Sequence, residues 1–373
     1  MHIDHVHFYV ENATHWQNWF VQKLGFQTLA SQRCHHTDRV LVGSQQIRFW
    51  LSSPRSADSP VAAYLTHHPA GVADLAFQVT NLAAILRQAE QLGITIWQPL
   101  QLVESPQGCY KMAQIQGWGD LRHTLIESLN VPPVASSSLM EPEDSQATVS
   151  SDPLGRSTQS SWIGIDHVVL NVMAGDLDKV IHRYETLFGL QRQQNFAIQT
   201  ERSALCSQVL SHPEGSVQLP INEPASPDSQ IQEFLDWNRG AGIQHIALRT
   251  QNILDLMARL RRQKIRFLSV PLTYYEQLCQ RPEYALTPAE YERIAQQEVL
   301  VDWQPDQPQA LLLQAFTHPI FEQPTFFFEL IERRSYQVSQ QMKTVQGFGE
   351  RNFQALFEAI EREQMKRGSL KVE

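Results

Sequence analysis

The feature that most constrains this chain is that it repeats itself at the scale of a domain. IDHVHFYV at 3–10 returns as IDHVVLNV at 165–172, and HTLIESL at 123–129 is paralleled by FFFELIE at 326–332. Between them, GVADLAFQVTNLAAILRQAEQLGI (71–94) aligns without gaps with GIQHIALRTQNILDLMARLRRQKI (242–265). Each of these longer segments reads as a short apolar strand, a polar turn holding an Asn, then a helix with apolar residues at i, i+3, i+4 and i+7. Leu254, Met257 and Leu260 make that stripe in the second copy. The helices after the first strands close on KLGF (23–26) and LFGL (187–190), with Gly where a helix C-cap is expected. Strand–helix–strands units that recur within matching halves indicate duplication, not chance periodicity. The expected fold is α+β in two tandem domains, since 373 residues exceed what one hydrophobic core usually serves.

The boundary falls in VPPVASSSLMEPEDSQATVSSDPLGRSTQSS, residues 131–161, rich in Ser, Pro and acidic residues and nearly free of aromatics. Such a composition cannot bury enough apolar surface to offset the entropy of ordering, so it reads as a linker between domains at 1–130 and 162–373. One stretch breaks the symmetry. Residues 271–308 have no equal in the first half, and Thr287–Pro288 marks a helix start within them. An insertion beside one site only implies that the second half carries the elaborated site. The 39 acidic against 30 basic residues, net charge −9, argue against general affinity for nucleic acid or an anionic membrane. The four cysteines are scattered without a CxxC pair and read as reduced thiols. No apolar run reaches membrane-spanning length, and the polar MHIDHVHFYVEN lacks a signal-peptide pattern. A cytoplasmic protein is expected.

His167 in IDHVVLNV and His245 in GIQHIALRT each stand alone in an apolar strand. A lone strand histidine is more often structural than a ligand, because a backbone carbonyl can satisfy it. Glu329 changes the weighing. It follows three phenylalanines in TFFFELIERR, and a carboxylate on a central strand is unfavourable to bury unless paired or metal-bound. Its rival reading is an ion pair with Arg333 or Arg334, whose side chains need not share its face. Two His and one Glu from strands of one half make a facial triad, which suits Fe(II) in an oxygenase and leaves coordination positions open. Repeat alignment sets His5 opposite His167, Asp74 opposite His245 and Glu127 opposite Glu329. The first half then either keeps a different site or has lost its metal, and loss is favoured because no insertion encloses a pocket there. His35–His36, His67–His68 and His318 have no such spacing and read as surface or loop residues.

The paired IDHV strands and the His–His–Glu pattern resemble the vicinal oxygen chelate superfamily and, within it, the 4-hydroxyphenylpyruvate dioxygenase family. The resemblance spans essentially the whole chain and is densest at 163–365. There GAGIQHIALRT, LPINEP, SQIQ, LLLQAFT, FFFELI and GFGERNFQALFEAIEREQ look like that family's signature stretches. It implies paired βαβββ modules in each domain, curled into a half-open barrel around a cavity. It also implies one Fe(II) per chain, held by His167, His245 and Glu329, with 4-hydroxyphenylpyruvate and O2 as substrates. Oxidative decarboxylation, ring hydroxylation and side-chain migration would give homogentisate and CO2. The substrate's own 2-oxo acid would fill two open metal positions, so no separate oxo acid is needed. Homogentisate can feed tyrosine breakdown or quinone and tocopherol synthesis. The first domain would hold no working metal and would serve as the interface of a homodimer or homotetramer.

Carried over position by position, the resemblance implies polar substrate contacts from Ser207, Asn222, Gln230, Gln244 and Gln314, and aromatic ones from Phe316, Phe327, Phe348 and Phe353. Neutral amides and hydroxyls orient a phenol without placing an oxidisable or charged group beside iron. Gln244 alternates with His245, so both cannot point at the metal and Gln244 belongs to a neighbouring network. Phe327 and Glu329 are two apart and share a strand face. The last helix, with a stripe of Phe353, Leu356, Phe357 and Ile360, would cap the entrance and present Asn352 and Phe353 to it, behind Gly347 and Gly349. Arg351 departs from the family, which usually has a second glycine there, and puts the lid's conformation in question. Two rivals stand beside this reading. 4-Hydroxymandelate synthase resembles the same fold, iron site and substrate but oxidises the benzylic carbon; Pro220, Asn222 and Phe327 look like the dioxygenase versions of the separating residues. The other is a non-catalytic ligand-binding protein on the same fold.

Overall fold

The computed structural model of the chain describes residues 1–129 except 106–107, and 161–370 except 283, 285, 305–306 and 339–340. The linker read at 131–161 lies, Ser161 apart, outside the described residues. In the first half, β1 (His2–Tyr9), α1 (Ala13–Trp19), β2 (Gln27–Arg33), β3 (Thr37–Ser44) and β4 (Ile47–Pro54) form one βαβββ module. After α2 (Pro60–His67) comes a second: β5 (Gly71–Gln78), α3 (Leu82–Gln91), β6 (Ile96–Ser105), β7 (Gly108–Gln116) and β8 (Arg122–Ser128). The second half repeats the plan with β9 (Trp162–Asn171), α4 (Leu177–Phe188), β10 (Gln191–Gln199), β11 (Ala204–Ser211) and β12 (Gln218–Pro224). After α5 (Gln230–Asn238) follow β13 (Gly242–Thr250), α6 (Ile253–Arg262), α7 (Leu272–Leu278), α8 (Pro288–Gln297), β14 (Leu300–Gln304), β15 (Gln307–Phe316) and β16 (Phe327–Arg333). A hairpin, β17 (Ser335–Val338) and β18 (Gln341–Thr344), leads to the last helix, α9 (Glu350–Arg367).

Two eight-stranded sheets result, ordered β2-β3-β4-β1-β5-β8-β7-β6 and β10-β11-β12-β9-β13-β16-β15-β14. In each, the two modules join through an antiparallel pair of their first strands, β1 with β5 and β9 with β13. The predicted punctuation is present. Asn81 and Asn252 each cap a helix with their side-chain oxygen, Gly25 and Gly189 end helices at φ 74° and 66°, and Thr287 makes a capping box with Glu290. The insertion is shorter than the sequence indicated. Its helices α7 and α8 are extra, but β14 pairs with β15 as β6 pairs with β7, so residues from 300 onward have a counterpart.

One apolar core joins the halves: Phe49 stacks on Phe328 at 5.9 Å and Phe8 meets Phe326 edge-on at 5.1 Å. Alternation along β16 sends Phe328 to that core and Phe327 and Glu329 to the opposite face, inside the second barrel. Among the described residues no helix is long and apolar enough to cross a membrane.

Candidate metal centre and active site

Both candidate histidines owe their direction to β-bulges. The pairing of β9 with β13 slips at Asp166 on one strand and at Gln244 on the other. Each bulge turns the preceding side chain onto the ring beside it: Asp166 Oδ1 lies 3.0 Å from His167 Nδ1, and Gln244 Oε1 lies 3.2 Å from His245 Nδ1. The other nitrogens then face Glu329, with His167 Nε2 at 3.2 Å and His245 Nε2 at 3.5 Å from Oε2. Among the described residues this is the group of His, Cys, Asp and Glu donors that converges, all buried, with ligand atoms within 4.8 Å of one another. Donors bound cis to one ion at about 2.1 Å sit about 3 Å apart, so the set has the dimensions of one face of an octahedral site. Gln314 Nε2 donates to Glu329 Oε1 at 2.9 Å and leaves Oε2 turned to the centre. The rival ion pair is not made, because Arg333 binds Asp166 while Arg334 binds Glu332 and Glu290.

Burial opposes charge on all three side chains. For His167 and Glu329 their mutual attraction overrides it, pushing the imidazole up to about 9 and the carboxyl down to about 2. At His245 burial prevails and lowers the pKa. A positive charge is therefore favoured at the focus of the cluster, which is the place a cation takes.

The triad forms the floor of a cavity of about 40 Å³. Of the substrate contacts read from the sequence, Ser207, Asn222, Gln314, Phe316, Phe348 and Phe353 line it. Phe327 lies against His245, stacked at 4.7 Å between ring centroids. Asn352 is buried behind Gln314 and donates Nδ2 to its Oε1 at 2.7 Å. Gln244 sits in the neighbouring network, as its place beside His245 indicated. Gln230, the buried first residue of α5, is not among the residues lining this cavity, and among the described residues its Oε1 has no hydrogen-bond partner. Val169, Phe196 and Val209 line the wall without having been singled out, beside Leu356 of the α9 stripe. Only Val169, two residues beyond His167 on the same strand, carried a signal for this.

Residues 164–280 match the Glyoxalase/Bleomycin resistance protein/Dioxygenase superfamily. The chain is 35% identical to the 4-hydroxyphenylpyruvate dioxygenase of Yarrowia lipolytica, over 98% of this chain and 93% of that one. The chain belongs to this dioxygenase family. It is 32% identical to the 4-hydroxyphenylpyruvate dioxygenase of Dictyostelium discoideum, over 98% and 99% of the two chains. Among solved structures, a mutant of 4-hydroxymandelate synthase from Streptomyces coelicolor superposes with a TM-score of 0.82 at 25% identity, covering 97% of this chain and 98% of that one. The protein is thus an enzyme, a dioxygenase of the vicinal oxygen chelate superfamily.

The dioxygenase fold also uses two charged residues that sequence reasoning did not place. Arg333 donates Nε and Nη2 to the two oxygens of Asp166, both at 2.7 Å, and Nη1 to the carbonyl of Gly347 at 2.6 Å. Burial raises Asp166, but Arg333 and then His167 outweigh it and hold the carboxyl well below its usual range. A continuous path therefore runs from the segment before α9 through Arg333 and Asp166 to His167. A second runs from Asn352 on α9 through Gln314 to Glu329. Through these contacts α9 and the segment before it are tied to two of the three candidate ligands. Arg351 is accommodated within α9. It lies in the first helical turn with Nη1 3.8 Å from Asp302 Oδ1, and the positive φ values fall on Gly347 (86°) and Gly349 (66°).

In the first half, strand register corrects the repeat alignment. β5 pairs Asp74 with Arg122 as β13 pairs His245 with Phe327, so the counterpart of Glu329 is Thr124, and Glu127 matches Glu332. The roles agree: Glu127 accepts from Leu82 N and Glu332 from Ile253 N, each at 2.7 Å, at the starts of equivalent helices. FFFELIE contains two glutamates, and likeness of sequence chose the wrong one. His68 is also misread as a surface residue; it is buried and bridges the Asn238 carbonyl at 2.7 Å and Asp120 at 2.9 Å.

Proposed function

We propose that the enzyme holds one Fe(II) on His167, His245 and Glu329 and converts 4-hydroxyphenylpyruvate and O2 to homogentisate and CO2. The observation that carries this reading is the convergence of three buried donors on the floor of a cavity whose polar wall groups are uncharged. Two imidazoles and a carboxylate, with no thiolate, are a donor set that Fe(II) oxygenases use. Bound there, Fe(II) would supply a Lewis-acid and redox centre. The protein's own part is positioning. Asp166 and Gln244 engage Nδ1 of the two rings and so direct each Nε2 lone pair inward. Among the described residues Asn222 Oδ1 is buried with no hydrogen-bond partner, and Ser207 stands opposite Asn222 on the next strand. Together they suit a phenol hydroxyl. Phe316, Phe348 and Phe353 would enclose the ring and exclude water. The space between these rings is small, so substrate entry requires Phe348 and Phe353 to shift with the lid.

Chromatography of the product made by Fe(II)-loaded enzyme from 4-hydroxyphenylpyruvate tests this reading: homogentisate is expected. The likeness to 4-hydroxymandelate synthase supports a second reading, in which 4-hydroxymandelate forms instead. Absence of O2 uptake would revive a binding protein.

The division of labour is part of the proposal: a domain at 1–130 without a working metal, a linker, and a catalytic domain at 162–373. Asp74 supports it, since its carboxylate is taken up by Thr124 and Gln114. A homodimer or homotetramer through the first domain is supported by Trp97, Leu100 and Leu102, exposed on the edge strand β6. Sedimentation analysis measures it.

A further inference from the structure

We infer that Tyr274, on the inserted helix α7, is a positioning residue for Glu329, acting through Asn352 and Gln314; this role rests on the metal reading proposed above. Tyr274 is not among the residues that line the catalytic cavity, so contact with substrate is not its part. Its hydroxyl stands at the far end of a chain of hydrogen bonds whose direction is fixed at the carboxylate. An ionised carboxylate only accepts, so Gln314 must turn its NH2 group to Glu329 Oε1, 2.9 Å away. The amide oxygen of Gln314 then faces away and needs a donor, which is Asn352 Nδ2 at 2.7 Å. That in turn leaves Asn352 Oδ1 facing outward. Among the described residues the donor it meets is the Tyr274 hydroxyl, at 3.3 Å. Glu329, Gln314 and Asn352 are all buried, so loss of one link leaves a buried amide oxygen short of a donor.

Strand β14 holds the hydroxyl in place. It accepts from Val301 N at 2.9 Å and lies 3.1 Å from Val301 O. Its single proton is shared between that carbonyl and Asn352 Oδ1, but Val301 O also accepts from Arg281 Nη1 at 3.0 Å, which favours Asn352. Burial pushes the phenol up to about 12, so it keeps this proton at neutral pH. One residue further along β14, Asp302 Oδ2 accepts from Arg351 N in the first turn of α9 at 3.3 Å. Helices α7 and α9 therefore meet on one edge strand. The first barrel has none of these links. Strand register places Met112 where Gln314 stands and Thr124 where Glu329 stands, and among the described residues no helix there corresponds to α7 or α9. The chain of donors is present where the triad is and absent where the triad is absent.

Titration of Co(II) into the full-length, metal-free protein tests this, with affinity read by competition against a chromophoric chelator and geometry by the visible ligand-field spectrum. Tyr274→Phe keeps the ring and removes only the hydroxyl, and denaturant titration checks that the variant folds. Groups that hold a ligand directly change metal affinity by about 10–100-fold, so a group two links away should change it by about three- to tenfold, with a shifted spectrum. Tyr275 is the control, since its hydroxyl donates to a neighbouring carbonyl, Val299 O at 3.2 Å, without joining the chain. Tyr275→Phe should lower stability comparably and leave Co(II) affinity and spectrum unchanged. Asn352→Ala should weaken Co(II) binding, and in that background Tyr274→Phe should add nothing, because the link is already cut. The inference alone is overturned by an unchanged Co(II) site in Tyr274→Phe, by an equal change in Tyr275→Phe, or by a full additional effect in the Asn352→Ala background. Wild-type protein that binds no Co(II), or binds it equally well with Glu329→Ala, overturns the metal reading and this role with it.

Discussion

Asp166 gives His167 a charged partner where Gln244 gives His245 a neutral one, and Arg333 in turn holds Asp166 with both arms of its fork. Groups that orient a metal-ligating histidine typically change affinity by about 10–100-fold when removed. Asp166→Asn should therefore lower affinity for a divalent metal by about that factor, and Arg333→Lys, which keeps the charge but loses the fork, by less. Competition against a chromophoric chelator measures both; an unchanged affinity in Asp166→Asn would show that the bulge alone orients the ring. At this scale the sequence exposed the residues that interrupt an apolar pattern, which is why His167, His245 and Glu329 were visible. It did not expose Asp166 with Arg333, because a pair separated by 167 positions leaves no local trace. Gln230 shows the converse: its motif is local and recognisable, but its place relative to the cavity depends on how α5 packs.

Among the elements, α9 and the glycines before it are where small changes should be read most clearly. A Cβ at Gly349 would meet Gln314 Oε1 at 2.8 Å and Leu312 Cδ2 at 2.9 Å, and its φ is 66°. Gly349→Ala should destabilise the fold by about 1–3 kcal/mol and, by displacing Gln314 from Glu329, lower kcat more than it alters KM. Denaturant titration and steady-state kinetics separate the two effects, and a variant with normal kcat would mean that α9 is not tied to Glu329 as described. Phe353→Ala, which opens the wall, should instead raise KM. Helix boundaries were legible because caps are local chemistry, as at Asn81, Asn252 and Thr287. The extent of the insertion was not, since an edge strand such as β14 takes its identity from the strand it pairs with.

For the whole molecule, duplication was legible and register was not, so Glu127 was matched to Glu329 until strand pairing assigned Thr124 to that place. The metal-free protein should also show a characteristic pH dependence. His7, His123 and His245 have pKa values lowered from 6.5, chiefly by burial. The unfolded chain therefore binds protons first as pH falls, and their contribution, present above 6.5, is lost below it. His167 acts in the opposite sense: raised to about 9, its contribution is present below 6.5 and lost as pH rises toward 9. The melting temperature of the metal-free protein should accordingly peak near neutrality and fall on both sides. A flat profile would contradict the burial of these rings. The most direct test of the whole account is O2 consumption by Fe(II)-reconstituted enzyme supplied with 4-hydroxyphenylpyruvate, comparing wild type with Glu329→Ala and His5→Ala. Uptake abolished by the first substitution and retained in the second is the predicted result, placing the working metal in the second barrel. Uptake that survives Glu329→Ala would contradict the assignment and return His167 and His245 to the core.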